Sequence, residues 1–354
     1  MPLFSPFSSR GLTLRNRIVV SPMCQYSSTD GFATDWHLVH LGSRAVGGAG
    51  LVFTEATAVT AQGRISPEDH GIWKDEHIEM LARIASFVHS QGAPIGIQLA
   101  HAGRKASTRN PWMGRGASPP EEGGWDVVGP SAVAFSPAYP PVTALTINGI
   151  AEVVDAFAAA AKRAVTAGFD VVELHAAHGY LLHEFFSPLS NDRTDQYGGS
   201  LENRMRIVVE CAEAIRGVIP EAMPLWTRIS ATDWTDGGWT IDDSVKLARA
   251  LKSAGVDLID VSSGGNLEGA TIPVGPGYQV PLAEQIRRDA EIPTGAVGLI
   301  TDAAQADTII STGQADVVLL ARQMLRDPYW PLHAARELGV DVEWPKQYGR
   351  AKPV

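Results

Sequence analysis

Eight short apolar runs separated by helix-length segments are the feature of this 354-residue sequence that most narrows its possible folds. Each run is hydrophobic along nearly its whole length, as expected for a strand that is buried on both faces. Two of the intervening segments, 75–91 and 151–167, are each followed by a glycine, as expected just beyond a helix. The predicted strands are residues 18–23, 51–56, 94–99, 171–175, 225–229, 258–261, 295–298 and 317–321.

Eight strand–helix units in series are the number that a (β/α)8 barrel requires. The competing arrangement is an open doubly wound sheet, which would be expected to carry a Gly-x-Gly-x-x-Gly turn if it bound a dinucleotide. The sequence contains no such string. We therefore predict an α/β protein that forms a single TIM-barrel domain over residues 1–354, with its functional residues at the carboxyl ends of the strands.

Two segments depart from this pattern. The connection between the third strand and the third helix, residues 104–145, is rich in proline, glycine and aromatic residues and lacks helical periodicity. A loop of this length in a compact domain is typical of a cap over an active site, and a surface excursion without a function is the alternative. The polar residues 345–354 are predicted to form an extended tail.

Composition excludes several classes of partner. Acidic residues outnumber basic residues 39 to 29, which argues against binding to nucleic acid or to an anionic membrane. The two cysteines, Cys24 and Cys211, are too few for a disulfide framework or a four-cysteine metal site. Because no long apolar segment resembles a signal peptide or a membrane span, we expect a soluble protein of the reducing cytoplasm.

Three polar side chains, His175, His178 and Tyr180, lie at or just beyond the end of the fourth predicted strand. One interpretation is a pair of imidazoles that donate to a developing oxyanion, with the phenol beside them as proton donor. Two structural histidines, or a metal site, are the alternatives, and the metal site is disfavoured because no carboxylate or cysteine lies at a matching strand end. The nearby string that starts at His183 lacks the second histidine of a His-Glu-x-x-His zinc motif, because Ser187 occupies that position.

The last two predicted strands indicate a phosphate-bearing ligand. Loops after the seventh and eighth strands of such barrels commonly bind phosphate, and Gly298 and Arg322 lie at these ends. A surface ion pair is the alternative for Arg322, and its place directly after a buried strand argues against it. Arg228 ends another buried run and likewise needs an anionic or polar partner.

Seven segments of the sequence resemble the Old Yellow Enzyme family, and most closely its bacterial thermophilic-like branch. The stretch from His175 to Arg204 is the most specific, and the segments cover nearly the whole chain in the family's order. They are RNRIVVSPMCQYS, QGRISPEDHGIW, IGIQLAHAGRKA, FDVVELHAAHGYLLHEFFSPLSNDRTDQYGGSLENR, DLIDVSSG, TGAVGLIT and ARQMLRDP.

This resemblance implies an enzyme, an FMN-dependent ene-reductase. It would take electrons from NADPH or NADH and reduce the C=C bond of activated alkenes such as enones, enals, maleimides and nitroalkenes. The reaction would be ping-pong, with the nicotinamide and then the alkene occupying one site. The missing dinucleotide motif agrees with this, because a nicotinamide that only stacks on a flavin needs no dinucleotide-binding fold.

The resemblance also implies roles for individual residues. His175 and His178 would hold the carbonyl or nitro oxygen of the substrate, and Tyr180 would protonate its α carbon. Cys24 would lie near the flavin ring, tune its potential and contact the substrate. Without the family, a buried cysteine at a strand end is most simply a small hydrophobic residue. The cofactor-binding residues implied are Ser21, Pro22, Met23, Cys24, Ala56, Gln98, Arg228, Ser263, Gly264, Gly298, Ala321 and Arg322.

Two further residues are similar to substrate contacts of the branch. Tyr26 matches its substrate-binding tyrosine, and Arg350 resembles an arginine that reaches into a neighbouring protomer's site. Either one is otherwise an ordinary surface residue. The role of Arg350 would require a homo-oligomer, which we expect to be a homodimer or a homotetramer. Ala321 departs from the family, because many relatives have a glycine before the phosphate-binding arginine.

Three other functions remain as alternatives. Larger relatives that reduce dienoyl thioesters or oxidise amines carry an iron–sulfur cluster, which the two cysteines of this sequence do not support. A metal-dependent barrel hydrolase would use His175 and His178 as ligands. A flavin-binding protein without redox turnover is the third alternative, and the intact set of His175, His178 and Tyr180 argues against it.

Overall fold

The computed structural model describes residues 2–114 and 116–352. Its centre is a closed barrel of eight strands, each paired in parallel with its neighbours in chain order, which confirms the predicted (β/α)8 fold. The strands are β1 (Ile18–Val20), β2 (Leu51–Ala58), β3 (Ile95–Ala100), β4 (Val171–Ala176), β5 (Leu225–Ser230), β6 (Leu258–Ser262), β7 (Thr294–Ala296) and β8 (Val317–Leu320).

Helices fill the segments between the strands. Four of them begin at a polar cap, because the side chains of Thr146, Ser200, Thr240 and Asp302 each accept the backbone N–H three residues further on. In the described ranges, none of the helices combines the length and apolar character needed to cross a membrane. The main helices are α1 (Asp35–Val46), α2 (Ile78–Ser90), α3 (Ile147–Thr166), α4 (Leu201–Arg216), α5 (Ile241–Ser253), α6 (Val280–Ala290), α7 (Ala303–Ser311) and α8 (Trp330–Glu337).

Each outer helix packs one apolar stripe against the barrel. In α3 the buried residues Ile150, Val153, Phe157, Ala160 and Ala164 follow one another at intervals of three and four, which places them on one helix face. The strands beneath contribute side chains to the same core from their outward faces. This layering accounts for the continuous hydrophobicity of the strands in the sequence.

The amino end of the barrel is closed by an antiparallel hairpin of Phe7–Ser9 with Leu12–Leu14. Phe7 and Leu14 pack into the cluster that fills the barrel interior, where the rings of Phe53 and Trp226 lie 5.6 Å apart. Since this end is plugged with apolar side chains, the polar strand ends at the opposite, carboxyl face are the part of the barrel open to ligands.

The long connection after β3 is more ordered than its composition indicates. It contains the 3-10 helices Gly103–Lys105 and Pro120–Glu122, and a parallel pair formed by Val127–Gly129 and Val142–Ala144. Each of these strands has only three residues, too few to show an alternating pattern in the sequence. Of the predicted capping loop, residue 115 lies outside the described residues.

The prediction of an extended tail is wrong for most of its length. Lys346–Ala351 forms a 3-10 helix that starts after Pro345, and the Tyr348 N–H donates to the Pro345 carbonyl at 2.8 Å. The Tyr348 ring also packs edge-on against Tyr329, with centroids 6.0 Å apart. A local turn and an aromatic contact therefore override the polar composition, and residues 353–354 of the predicted tail lie outside the described residues.

Candidate active site

The strand register gathers the predicted site residues at the carboxyl end of the barrel. Ala56 on β2 pairs with Gln98 on β3, and His175 on β4 pairs with Arg228 on β5. β1 ends at Val20, shorter than predicted, so the run that begins at Ser21 leaves the sheet and becomes the first active-site loop. Ser21 remains attached to the barrel because its N–H donates to the Leu320 carbonyl at 3.1 Å.

His175, His178 and Tyr180 form one cluster. The ring centroid of His175 lies 5.2 Å from that of His178 and 5.4 Å from that of Tyr180. His178 adopts the left-handed conformation, with φ of 61°, which turns the chain sharply after β4. Its N–H is held by the Ser230 Oγ at 2.9 Å. The structure thus brings together the three residues predicted to act on substrate.

The protonation states of this cluster suit hydrogen-bond donation. Burial, together with the positive charge of Arg228, lowers the pKa of both His175 and His178 well below the ordinary value, so both imidazoles are neutral at pH 7. His175 Nδ1 is buried without a hydrogen-bond partner among the described residues, and His178 Nε2 lies 2.7 Å from the Ser262 Oγ. Burial raises the pKa of Tyr180, which therefore keeps its proton.

A second group, the loop after Ser21, brings Cys24 and Tyr26 towards this cluster. Burial, and then the charges of Asp69 and Glu55, raise the pKa of the Cys24 thiol, which also shares a hydrogen bond with the Tyr26 side chain. Cys24 therefore stays a neutral thiol. Glu55 anchors this loop, because its Oε2 accepts the backbone N–H of Gln25 at 2.7 Å.

The predicted capping loop reaches the same region. The Trp112 ring contacts the Tyr26 ring edge-on, with centroids 5.7 Å apart. Trp112 is still 66% exposed, so this contact leaves most of its indole available to other groups. The contact places the loop beside one of the predicted substrate residues.

Behind the histidines, a buried group of charges surrounds Arg228 and Gln98. Arg228 Nη1 donates to the Ser21 Oγ at 3.0 Å, and its Nε lies 3.1 Å from Asp260 Oδ2. Gln98 Nε2 donates to Glu173 Oε1 at 2.8 Å. Burial raises the pKa of both Glu173 and Asp260, and the charge of Arg228 opposes that rise.

These two carboxyl groups are functional candidates that the sequence analysis missed. Glu173 and Asp260 are each 0% exposed and lie in the middle of otherwise apolar strands. An acidic residue inside a buried strand is the signal that identifies them, since such a group needs a partner or a proton. They support the amide of Gln98 and the guanidinium of Arg228 from inside the barrel.

A cavity of about 150 Å3 lies at the ends of β6, β7 and β8. Arg322 lines it together with Gly298 and Ala321, three residues that the resemblance assigns to cofactor binding. Arg322 forms no ion pair within residues 2–114 and 116–352, so the surface ion pair considered as its alternative role is absent from the described part of the chain. Other residues lining the cavity include Ser262, Tyr278, Gln279, Val297, Leu299, Ile300, Thr301, Gln323 and Arg326.

Ser263 and Gly264 do not line this cavity, although both were predicted to bind the cofactor. The Ser263 Oγ donates to Gln279 Oε1 at 2.6 Å, and Gln279 Nε2 donates to the Val297 carbonyl at 2.8 Å. Ser263 therefore supports the cavity wall through Gln279. Gln279 lies in a helix-start position with no sequence signal of its own, which is why sequence reasoning did not find it.

The two groups of residues match the two ends of flavin mononucleotide. The amide of Gln98 and the guanidinium of Arg228 are complementary to the carbonyl and N–H groups of a pyrimidine ring. Arg322 and Arg326 give the cavity the positive charge that a phosphate requires. Since these groups all lie at the carboxyl ends of the strands of one barrel, the donor set fits FMN.

Two residues discussed in the sequence analysis lie outside this site: Arg350, a predicted substrate contact, and His183, which starts the incomplete zinc motif. Arg350 is in the exposed 3-10 helix of the tail, and the residues just before it line a groove with Gly48 and Gly92, at the amino end of the barrel. His183 is fully buried, with its Nε2 2.9 Å from Asp233 Oδ1 and its Nδ1 accepting the Gly179 N–H at 2.9 Å. His183 is thus a structural residue. The described ranges hold no group of three or more His, Cys, Asp or Glu side chains placed to bind a metal.

Comparison with known proteins identifies the family of the chain. The model of the NADH:flavin oxidoreductase / NADH oxidase family matches residues 2–340. An NADPH dehydrogenase of Geobacillus thermodenitrificans is 51% identical over 350 residues, which are 98% of each chain. An NADPH dehydrogenase of Bacillus subtilis is 49% identical with the same coverage.

Solved structures agree. Morphinone reductase superimposes with a TM-score of 0.80 at 28% identity, over 97% of this chain and 91% of its own. An old yellow enzyme homologue from Zymomonas mobilis gives a TM-score of 0.80 at 25% identity over 100% of both chains. The predicted resemblance is confirmed: the chain belongs to the NADH:flavin oxidoreductase / NADH oxidase family and is an FMN-dependent oxidoreductase.

Proposed function

We propose that this enzyme uses electrons from NADPH or NADH to reduce the C=C bond of activated alkenes, including enones, enals, maleimides and nitroalkenes. The observation that carries the proposal is the cluster of His175, His178 and Tyr180, two neutral donors and a protonated phenol at the barrel mouth. The names of relatives, NADPH dehydrogenase and morphinone reductase, support the nicotinamide as the reductant and a small organic molecule as the oxidant.

In this proposal the histidines activate the substrate. The N–H groups of His175 and His178 would bind the carbonyl or nitro oxygen, where negative charge develops as the alkene is reduced. Both rings are neutral and held by the barrel, so they stabilise that charge without a change in protonation. Tyr180 would deliver its proton to the α carbon, while Cys24 and Tyr26 contact the substrate from the other side.

Bound FMN would supply the redox chemistry of the reaction, the transfer of a hydride equivalent from the nicotinamide to the alkene. The flavin ring would be held by Ser21, Pro22, Met23, Cys24, Ala56, Gln98 and Arg228. Arg228 would supply a fixed positive charge that stabilises the reduced ring. The phosphate and ribityl chain would be held by a cradle of Ser263, Gly264, Gly298, Ala321 and Arg322. A single site for both substrates makes the kinetics ping-pong.

We also propose that residues 104–145 cap this site and that the enzyme is a homodimer or homotetramer. The Trp112–Tyr26 contact supports the cap. Exposed Trp36, Val39 and Phe87 on α1 and α2 support an interface between copies, in which Arg350 would enter a neighbouring site. We further propose a cytoplasmic location, with which the two free thiols are compatible. Light scattering during size-exclusion chromatography should show an assembly, and a monomer would contradict the role of Arg350.

Steady-state turnover of 2-cyclohexenone with NADPH tests the proposed reaction. We expect NADPH consumption that depends on the alkene, with cyclohexanone as the product. Tyr180→Phe should slow alkene reduction about 10²- to 10⁴-fold, the usual contribution of a general acid, while FMN stays bound. NADPH consumption that ignores the alkene, or full activity of Tyr180→Phe, would contradict the proposal.

A further inference from the structure

Three loops of the barrel mouth meet at the ammonium group of Lys105. Lys105 ends the 3-10 helix that follows β3, and its Nζ donates to the His178 carbonyl at 2.7 Å and to the Gly265 carbonyl at 3.0 Å. One carbonyl belongs to the loop after β4 and the other to the loop after β6. Lys105 therefore ties the substrate cluster to the loop that carries Ser263 and Gly264.

These two loops approach each other unusually closely. A Cβ added to Gly179 would lie 2.2 Å from the Gly265 carbonyl oxygen, and one added to Gly265 would lie 2.7 Å from the His178 Cα. The left-handed backbone of His178 is held on both sides, because its N–H is bound by Ser230 and its carbonyl by Lys105. A strained residue of this kind persists only when its surroundings fix it.

The charge of Lys105 has no acidic partner close by. Within the described residues no carboxylate oxygen lies within 4.0 Å of its Nζ. The ammonium instead lies 5.0 Å from the centre of the Tyr180 ring and 4.7 Å from that of Phe135. Burial lowers the pKa of Lys105 to about 8, and Glu184 opposes that change. A buried cation that contacts carbonyls and rings projects its positive charge onto its neighbours.

We propose that Lys105 is a positioning residue for alkene reduction, which holds His178 and Tyr180 in place and keeps a positive charge beside the phenol. This inference rests on the proposed function. In the step concerned, the Tyr180 O–H bond breaks and its proton forms the new C–H bond at the α carbon. The hydride from reduced FMN forms the bond at the β carbon. The ammonium would stabilise the phenolate left on Tyr180, which solvent then reprotonates.

Other charged groups face the same space. Glu184 and Arg104 lie near Lys105, and burial raises the pKa of Glu184 to about 8, so two groups titrate in one range. His175 and His178 stay neutral there, because burial keeps their pKa low. Only a variant at position 105 can therefore assign a change near pH 8 to Lys105.

The test compares Lys105→Met and Lys105→Arg with a control, Lys246→Met, at an exposed lysine on α5. The rate constant for reoxidation of reduced enzyme by 2-cyclohexenone is measured anaerobically between about pH 6 and pH 9.5. We expect the wild-type rate to fall as the pH rises through about 8. Lys105→Met should be about 10- to 100-fold slower at pH 7 and flat with pH, and Lys105→Arg should recover rate and move the fall to higher pH.

FMN binding and reduction by NADPH should stay near wild type in Lys105→Met, and Lys246→Met should match wild type throughout. A fall near pH 8 that persists in Lys105→Met would belong to Glu184 or to Glu173, because burial raises the pKa of each to about 8, and it would overturn the proposal. So would an equal loss of both half-reactions, or a Lys105→Met rate equal to wild type.

A probe that needs no turnover separates this inference from the proposed function. 4-Nitrophenol reports its ionisation by absorbance, and a site with neutral donors and a cation should bind it as the phenolate with a lowered pKa. We expect Lys105→Met to return that pKa towards the free value. If the enzyme fails to reduce alkenes but the pKa of bound 4-nitrophenol still differs between wild type and Lys105→Met, the proposed function is wrong and the charge of Lys105 in the site is supported. If that pKa does not differ between the two proteins, the inference about Lys105 is wrong.

Discussion

Replacing Asp233 by asparagine should destabilise the fold strongly, although the two side chains have almost the same shape. Asp233 Oδ1 accepts the Nε2–H of His183 at 2.9 Å, and its Oδ2 accepts the Ser187 hydroxyl at 2.6 Å and the Trp239 N–H at 2.9 Å. The tautomer of His183 is fixed, because its Nδ1 accepts the Gly179 N–H. All these donors are buried and point at one carboxylate.

Either orientation of the asparagine amide leaves two donors facing each other. If the amide nitrogen takes the position of Oδ2, it meets the Trp239 N–H; if it takes that of Oδ1, it meets the His183 N–H. The variant also loses the charge that strengthens the remaining bonds. Since an unsatisfied buried donor costs about 1–3 kcal/mol and bonds to a charged group contribute about 1.5–3 kcal/mol each, we expect a loss of about 2–4 kcal/mol.

Urea unfolding followed by tryptophan fluorescence, under conditions where refolding recovers the signal, measures this difference. Asp236→Asn, at an exposed position of the same loop, is the control and should change the free energy of unfolding by less than about 0.5 kcal/mol. A change below about 1 kcal/mol in Asp233→Asn, with an unchanged denaturant slope, would refute the reasoning.

The pH dependence has a definite sign. Burial alone would raise the pKa of Asp233, but the bonds from His183, Ser187 and Trp239 outweigh it and leave the pKa below its ordinary value. The carboxylate therefore stabilises the fold above the pKa of the unfolded chain, and this contribution is lost as the pH falls through the folded pKa. The difference between wild type and Asp233→Asn should be constant above about pH 5 and shrink below about pH 4.

Three further predictions concern the site. Replacing His175 and His178 together by alanine should remove binding of 2-cyclohexenone, which is detected as a perturbation of the flavin spectrum. Reduction of the flavin by NADPH should stay largely intact. An equal loss of alkene binding and of flavin reduction would contradict the oxyanion role. Arg322→Ala should weaken FMN binding about 10- to 100-fold, because a charge-assisted contact is lost. Equilibrium dialysis measures this affinity, and an unchanged value would exclude Arg322 from the phosphate cradle. Cys24→Ser should shift the midpoint potential of bound FMN while His175 still supports alkene binding, and an unchanged potential would remove the tuning role.

The barrel was predictable because its signal is carried by every strand. Buried parallel strands need apolar residues on both faces, and this requirement produced the eight runs, although β1 and β7 end before the predicted positions. The predicted strand boundaries were wrong where the strand ends before the apolar run in the sequence ends, as at Ser21. The tail failed for a related reason, since a turn at Pro345 and a Tyr348–Tyr329 contact leave no compositional signal.

The site residues that lie at strand ends could be predicted from the sequence. The residues that support them from other parts of the chain could not. His175, His178 and Tyr180 adjoin one strand, and their clustering follows from the fold. Lys105 and Gln279 act through contacts with loops distant in the sequence, which no spacing rule connects. Ser263 and Gly264 were named only through the family pattern, and the Ser263 hydroxyl reaches the cavity wall through Gln279.

One anaerobic experiment tests the central claim most directly. NADPH is added in one equivalent to the yellow holoenzyme until the flavin absorbance bleaches, the nicotinamide is removed, and 2-cyclohexenone is then added without oxygen. We predict that the absorbance returns with about one cyclohexanone formed per flavin, because one hydride and one proton complete each turnover. A flavin that stays bleached until oxygen enters, or that needs nicotinamide and alkene present together, would contradict the account.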